Sequence, residues 1–479
     1  MLLLIMNTKR ALSARISAPA MASLWYTASG ILERGIAFLF TPVFTRILTP
    51  EEYGLYPLYV SWMGLFTVLI TLELSGSVIY RGLTRFIGRE KEFIRSASDI
   101  ILTVGVIALA LSYLFSGATE RLTGMNAAIT RILIIQVSAN GIINLYLAKC
   151  RHRYNYRTPS IINLAFALLS PTLAVLLINF TRVRAEGRIA AQLAVSVAIA
   201  LPLLVSIYRS KSGGREMKRY ILRLAMPLLP HFVSTTIIAQ CGKIIIGHYY
   251  GESDVAKYSV AFSVGFLLSM LTGGIYSALS PWIMRKMSHG YEDKINSTVT
   301  SLFSMLAVLS LLIPALAPEI MSALAPSEYG EAVTAVYPVC LSVLITFLSN
   351  IFSSIIMYYE KSKLIAISSI AVAALSLSLN LLLTSRYGYV FAAIIQVISS
   401  LLILMFYAFI LGGVLKKQVI SLIPLARILL TSSWYYLLLY LLRDVLISRL
   451  LLLPVIVLLV IPRARACRKL LRESKNPEC

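Results

Sequence analysis

Hydrophobic residues occur along this chain in runs of about 20, separated by short polar segments. A helix of that length crosses the ~30 Å hydrocarbon core of a bilayer. The segments between the runs are too short to fold as soluble domains. The pattern therefore predicts an all-α polytopic membrane protein with about 14 transmembrane helices (12 to 14), at 23–48, 53–79, 96–117, 125–149, 159–180, 188–208, 219–248, 254–284, 296–323, 331–359, 363–384, 388–413, 418–441 and 444–462.

The order of these runs predicts two six-helix lobes followed by a helix pair. The expected divisions are a cytoplasmic tail at 1–22, an N-terminal lobe at 23–208, a cytoplasmic linker at 209–218, a C-terminal lobe at 219–413, helices 13 and 14 at 414–462 and a basic tail at 463–479.

Charge supports a membrane protein and orients it. Of all residues 58% are hydrophobic and 14% are charged, and the formal net charge is +23. Most Lys and Arg fall in alternate loops and in the two tails, which places both termini in the cytoplasm. The loop with Arg182, Arg184 and Arg188 goes against this arrangement. The positive charge thus needs no nucleic acid, since a basic tail suits anionic membrane lipid.

A short motif indicates an internal repeat. TPEEYGLY at 49–56 aligns with GESDVAKY at 251–258, an offset that pairs Glu52 with Asp254 and Tyr56 with Tyr258. Each copy joins the first and second spans of a six-span set. Because six spans separate the copies, the halves have the same orientation and are related by a pseudo-two-fold axis along the membrane normal.

Small and polar residues form a stripe on the first span of each half. One stripe contains Thr27, Gly30, Arg34, Ala37, Thr41 and Thr45, and the other contains Thr236, Ala239, Lys243 and Gly247, with Gln240 beside it. The repeat offset superimposes the last four positions of the first stripe on the second. The stripes are therefore expected to face each other and line a central cavity, although small-residue faces also serve helix packing.

Charges inside the spans are the candidate functional groups. Arg34 and Lys243 are predicted to bind substrate, since buried charges are costly and usually face a bundle interior or a water-filled path. Lys243 lies near its helix end, so a side chain reaching the interface is an equal alternative. Glu33 and Glu73 are either structural counter-charges or part of an ion-coupling site.

Prolines and amides inside the spans are further candidate functional residues. Pro227 and Pro230 are the predicted hinge, because proline removes a helical hydrogen bond. Amides such as Asn350, Asn380 and Gln396 either contact sugar hydroxyls or form interhelical hydrogen bonds. Cys and His show no metal-ligand or redox spacing, so no metal or other cofactor is expected beyond coupling to H+ or Na+. Residues 81–95 are predicted to form a helix that lies at the cytoplasmic membrane interface.

The N-terminal residues resemble a known family. LWYTASGILERGIAFLFTPVFTRILTPEEYGLYPLYVSW followed by LELSGSVIYRGLTRF is similar to bacterial polysaccharide-transport flippases of the O-antigen type, in the multidrug/oligosaccharidyl-lipid/polysaccharide exporter superfamily. The resemblance implies two lobes around a cavity that opens alternately to either side. Related lipid II flippases carry an essential arginine in the first helix, and Arg34 is the candidate match, with Glu33 departing from the expected order.

The resemblance implies a substrate and partners. The substrate is an undecaprenyl-pyrophosphate-linked oligosaccharide moved to the outer leaflet of a bacterial or archaeal plasma membrane for O-antigen, capsule or exopolysaccharide synthesis. Membrane lipid and a polysaccharide polymerase with chain-length proteins are the expected partners, and the chain is not expected to be an enzyme. Two alternatives remain: a cation-coupled multidrug or organic-cation exporter, which would favour an acidic cavity, and a membrane glycan polymerase or ligase, which would need a larger outer loop.

Overall fold

The computed structural model describes residues 18–445 except 154, 182, 183, 212 and 418. Within that part the chain is helical and contains no β-strand, which confirms the predicted class. The helices are α1 (Ala18–Ile47), α2 (Pro50–Thr71), α3 (Ser77–Arg85), α4 (Glu90–Leu114), α5 (Ser116–Thr123), α6 (Ala127–His152), α7 (Arg157–Phe180), α8 (Gly187–Tyr208), α9 (Gly214–Ala225), α10 (Leu229–Tyr250), α11 (Glu252–Ser288), α12 (Glu292–Leu309), α13 (Leu312–Ala315), α14 (Ala317–Leu324), α15 (Val333–Tyr358), α16 (Ser362–Leu379), α17 (Ser385–Tyr387), α18 (Tyr389–Phe409) and α19 (Leu422–Leu441).

Twelve helical segments of the described chain are long and apolar enough to cross a membrane, and they correspond to the predicted second to thirteenth spans. The predicted first span is α1, which has 30 residues. Its mean hydropathy is lower because Glu33 and Arg34 interrupt it. The tail 1–17, the predicted span 444–462 beyond residue 445 and the basic tail lie outside the described residues.

The described chain divides into two compact units. Unit 1 contains residues 18–40 and 66–229, and unit 2 contains residues 41–65 and 230–445. The boundaries therefore fall inside α1 and α2 and again after the first residue of α10, rather than in the loop at 209–218. The division into lobes at 209–218 stays a prediction.

The segment 208–218 is fixed to α4 within unit 1. The Lys218 amine lies 2.8 Å from a carboxylate oxygen of Asp99, and the Tyr208 hydroxyl donates to the other at 2.7 Å. The Gly213 amide donates to the Ser96 hydroxyl at 3.0 Å, and Arg95 donates to the Ser210 carbonyl. The predicted linker is thus hydrogen-bonded to a neighbouring helix, and its last residues begin α9.

The predicted interfacial segment 81–95 folds differently. It contains the end of α3 and the start of α4. The side chains of Leu83, Phe93 and Ile94 are buried in protein, and the Phe86 and Phe93 rings stack with centroids 5.6 Å apart. The interpretation as a helix lying on lipid was therefore wrong for these residues, because they pack inside unit 1.

Unit 2 is built around α15. This helix packs against α11 and α18, and most of its residues are buried. Aliphatic and aromatic side chains along it, among them Leu344, Phe347, Ile351 and Phe352, belong to a continuous core that includes residues of α11, α12 and α18. Such burial on several sides positions α15 as the central element of this unit.

The motif TPEEYGLY forms the start of α2. Thr49 and Glu52 bond reciprocally: the Glu52 amide donates to the Thr49 hydroxyl at 3.3 Å, and the Thr49 amide donates to the Glu52 carboxylate at 3.0 Å. This is a capping box, and Pro50 occupies the first helical position, where its missing amide hydrogen costs nothing. The motif that carries most of the family resemblance is therefore explained by helix initiation.

The second copy of the turn is one residue long. Gly251 has φ of 83° and separates α10 from α11, a conformation that glycine adopts without strain. In unit 2 the α-carbon of Gly54 lies directly against the main-chain carbonyl of Glu252. Both copies of the motif thus form tight turns, as predicted, and the two helix starts pack backbone to backbone.

Candidate functional site

Lys243 lies on α10 and points at an aromatic ring of the next helix. Its amine is 4.7 Å from the centroid of the Phe262 ring on α11, within the range of a cation–π contact. Among the described residues no carboxylate forms an ion pair with Lys243. No described carboxylate therefore competes with an anionic ligand for the Lys243 amine.

The other face of α10 fixes the orientation of this lysine. A β-carbon on Gly242 would lie 3.3 Å from the Ala392 side chain and 3.5 Å from the Asn380 amide oxygen. The Asn380 side chain donates to the Cys241 sulfur at 3.4 Å. Because these neighbours hold residues 241 and 242 against α16 to α18, Lys243 is turned toward α11.

Thr236 and Gln240 lie on the same helix as Lys243 and contact α2 within unit 2. A β-carbon at Gly64 would be 3.4 Å from the Gln240 side chain and 3.5 Å from the Thr236 methyl group. The Thr236 hydroxyl donates to the Phe232 carbonyl at 2.9 Å. Both residues of the predicted stripe therefore serve helix packing in this structure, because Gly64 leaves room for their side chains.

The charged pair on α1 lies in unit 1. The Glu33 carboxylate lies near the side-chain amide of Asn163 on α7 and is attracted by the charge of Arg34. Arg34 is exposed, and a β-carbon at Gly30 would meet no atom within 4 Å. This face of α1 is therefore open, whereas Glu33 lies near a neighbouring helix, and the side chain of Thr27 lies outside the described part of the chain.

The C-terminal part of the stripe on α1 is buried in unit 2. Thr41 and Thr45 have 6% and 2% of their surface exposed. The Thr45 hydroxyl donates to the Leu324 carbonyl at 2.6 Å, and the Arg46 guanidinium donates to the Ala323 carbonyl at 2.9 Å. These carbonyls end α14 and have no helical partner. In this structure the two threonines therefore do not line an open cavity, because both are buried and Thr45 bonds to the end of another helix.

Pro227 lies in a break between two helices, and Pro230 is the second residue of the helix that follows it. Residues Met226–Leu228 form a single 3-10 turn between α9 and α10. The boundary between the two compact units falls between Leu229 and Pro230. A short 3-10 stretch within a long helix often marks a hinge, and the hinge role of the two prolines stays a prediction.

Glu73 lies in the turn between α2 and α3, beyond the end of the candidate span. Leu72 and Glu73 both have positive φ, 51° and 49°. The Glu73 carbonyl accepts a hydrogen bond from the Gly76 amide at 3.1 Å. Burial raises the pKa of the Glu73 carboxyl above its usual value. This residue is therefore separate in sequence from Glu33 and shapes a strained turn.

The structure distinguishes the roles of the intramembrane amides, which the sequence left open. Asn380 hydrogen-bonds to Cys241, to the Ser376 carbonyl and to the Thr384 hydroxyl, which is the interhelical role. Asn350 and Gln396 instead line a cavity of about 250 Å³ in unit 2. Phe262, the neighbour of Lys243, lines the same cavity, and no sequence signal had singled it out.

Family comparison gives two overlapping matches. The model described as polysaccharide biosynthesis protein matches residues 21–287, and the model described as MatE matches residues 227–382. Among curated proteins, an uncharacterized membrane protein of Haemophilus influenzae is 23% identical over 304 residues, which cover 61% of this chain and 72% of that protein.

Solved structures share the fold at low sequence identity. The lipid II flippase MurJ in an inward closed conformation is 14% identical with a TM-score of 0.70, covering 92% of this chain and 98% of MurJ. A multidrug resistance MATE family transporter of the MOP superfamily, in an inward-facing conformation, is 16% identical with a TM-score of 0.64, covering 80% and 96%. At such identities the likeness concerns the fold.

Proposed function

Because the chain belongs to the polysaccharide biosynthesis protein family, we propose that it is a flippase for a lipid-linked oligosaccharide. The substrate is an oligosaccharide on undecaprenyl pyrophosphate, moved from the cytoplasmic to the outer leaflet for O-antigen, capsule or exopolysaccharide synthesis. The protein is a multi-pass membrane protein, and its family and fold are those of transporters and flippases rather than enzymes. This argues against the polymerase or ligase alternative.

Lys243 is the observation that carries this proposal. A pyrophosphate concentrates negative charge, which is costly to move through a medium of low dielectric constant. An ammonium group supplies charge-assisted hydrogen bonds that offset this cost while the polyprenyl tail stays in lipid. Lys243 suits this role because it lies in a membrane span, contacts a ring and forms no ion pair with a described carboxylate.

Arg34 is proposed as the second anion-binding group. It lies on the open face of α1, and the neighbouring Glu33 lies near the side-chain amide of Asn163. The charge of Arg34 next to Glu33 favours the counter-charge role for Glu33 over ion coupling. Coupling to a H+ or Na+ gradient and rocking about Pro227 and Pro230 belong to the same proposal.

Location and partners complete the proposal. Both termini are placed in the cytoplasm of a bacterial or archaeal cell, since basic loops stay inside. A polymerase and chain-length proteins would consume the flipped oligosaccharide.

The MatE match over residues 227–382 favours a second candidate, a cation-coupled multidrug or organic-cation exporter. A cationic substrate would be repelled by Lys243 and would bind better next to an acidic group. The uncompensated lysine therefore supports the flippase over the exporter.

The proposal is tested by Lys243→Met and Arg34→Ala in cells that depend on this chain for surface glycan. Each loses a charge-assisted contact, so export should fall roughly 10- to 100-fold at unchanged protein level. Lys243→Arg should retain part of the activity. Normal surface glycan in both variants, together with increased drug sensitivity, would instead indicate the exporter.

Lys257→Met is the matched control on the adjacent helix. The Lys257 amine is already paired, lying 3.5 Å from Glu331 and 3.8 Å from Asp254. Its loss should leave export near the wild-type rate. A loss as large as that of Lys243→Met would show that any lysine change here disturbs the fold.

A further inference from the structure

The cavity in unit 2 is lined by three helices and is open on one side. It has a volume of about 250 Å³ and lies between α11, α15 and α18. Its lining residues are Phe262, Ser269, Thr272, Gly273, Tyr276, Ser342, Val343, Thr346, Phe347, Asn350 and Gln396. All of them belong to unit 2.

The lining combines apolar and polar side chains and carries no formal charge. Five of the lining residues have a hydroxyl group and two have a side-chain amide, and none is acidic or basic. A metal ion or a free phosphate would need opposite charge or several anionic ligands. The chemistry instead fits a neutral ligand with many hydrogen-bonding groups.

The hydroxyl groups are largely occupied, but the amides are not. Thr346 donates to the Ser342 carbonyl at 2.8 Å, and the Tyr276 hydroxyl lies 2.8 Å from that of Ser354. Among the described residues the side-chain amides of Asn350 and Gln396 have no hydrogen-bond partner. Each amide offers two donors and one acceptor oxygen. Together they can hold adjacent hydroxyl groups of one ligand.

Asn350 is exposed on a helix that is otherwise mostly buried. Its neighbours Ser349 and Ile351 have 4% and 0% of their surface exposed. The position four residues earlier, Thr346, is also exposed. Because residues i and i+4 lie on one face of a helix, this face of α15 is hydrophilic toward the cavity.

The cavity adjoins the proposed anion-binding lysine. Phe262 lines the cavity and its ring also lies 4.7 Å from the Lys243 amine. A ligand with an anionic group at Lys243 would therefore extend past Phe262 toward the amides. Aromatic rings with a few placed polar groups are the usual lining of a small-molecule site.

We propose that this cavity binds a sugar residue of the lipid-linked substrate, held by Asn350 and Gln396 while Lys243 binds the pyrophosphate. The proposal rests on the proposed function and adds a subsite for the sugar. It makes the affinity for substrate depend on the sugar as well as on the charged carrier.

The test compares two lipids on the full-length protein in phospholipid nanodiscs. One is undecaprenyl pyrophosphate, and the other is the undecaprenyl-pyrophosphate-linked oligosaccharide extracted from producing cells. The wild type should bind the second roughly tenfold more tightly, as expected for two or more added hydrogen bonds. Asn350→Leu and Gln396→Met should each reduce this preference and together remove it, with unchanged affinity for bare undecaprenyl pyrophosphate.

Ser349→Ala is the matched control, because its hydroxyl bonds to the Ile345 carbonyl on another face of α15. It should keep the full preference. Equal affinity of the wild type for both lipids, or an undiminished preference in the double variant, would overturn the sugar subsite and indicate a water-filled cavity. Failure of the proposed function looks different: neither lipid binds, or Lys243→Met weakens neither.

Discussion

The α-carbon of Gly54 packs against the main-chain carbonyl of Glu252, so the first turns of α2 and α11 touch with no side chain between them. Gly54 belongs to one copy of the repeated turn and Glu252 to the other. The contact explains why residue 54 is a glycine. A β-carbon would overlap backbone atoms that cannot rotate away.

Gly54→Ala is therefore expected to destabilise the protein by about 1 to 3 kcal/mol through overpacking. Thermal unfolding of the purified protein measures the loss. Gly35→Ala is the control, since a β-carbon there meets no atom within 4 Å and alanine favours the helix. Equal unfolding temperatures for the two variants would contradict the close approach.

Thr45→Val should leave the Leu324 carbonyl at the end of α14 without its donor. A buried acceptor without a partner costs about 1 to 3 kcal/mol, so the unfolding temperature should fall, while Thr45→Ser restores the bond. Thr103→Val serves as control because that exposed hydroxyl bonds within its own helix. If Thr45→Val abolished export at normal stability, the threonine would belong to the transport path instead.

Glu73→Asn tests whether the turn after α2 is structural. Asparagine tolerates positive φ better than glutamate, so the variant should unfold at a higher temperature and retain export. Loss of export at raised stability would point to ion coupling.

The pH dependence of stability is a second test of the environment of the Glu73 carboxyl. Because burial raises the pKa of the Glu73 carboxyl in the folded state above its unfolded value, the folded state binds the proton more tightly, and stability falls as pH rises past the unfolded pKa. Glu73→Gln should show a smaller fall over the same range, measured by unfolding at stepwise pH. An unchanged slope would mean that the carboxyl does not titrate differently on folding.

Asp99→Asn should loosen the segment 208–218. The ion pair with Lys218 is partly exposed, so its loss is worth about 1 kcal/mol or less, and amide hydrogen exchange in this segment should rise severalfold. Glu216→Gln on α9 makes the same carboxylate-to-amide change at an exposed residue and should leave exchange as in the wild type. Equal exchange in the two variants would show that Asp99 does not hold the segment.

The sequence predicts the spans well because the length of an apolar run is a local property. The first of the repeated turns could be predicted for the same reason, since Thr49 and Glu52 bond to each other three residues apart. The role of Thr45 could not be predicted, because its partner Leu324 lies 279 residues away. Likewise, nothing in the sequence tells Asn380, which bonds to Cys241, from Asn350, which faces a cavity.

The assignment of residues 41–65 to unit 2 bears on how such a chain evolved. If a half-length gene was duplicated and fused, its product carried the equivalent of this hairpin. That segment packs here on helices encoded by the other half. The N-terminal half therefore completes the packing of unit 2, and residues 230–479 expressed alone should be less stable than when co-expressed with the N-terminal half.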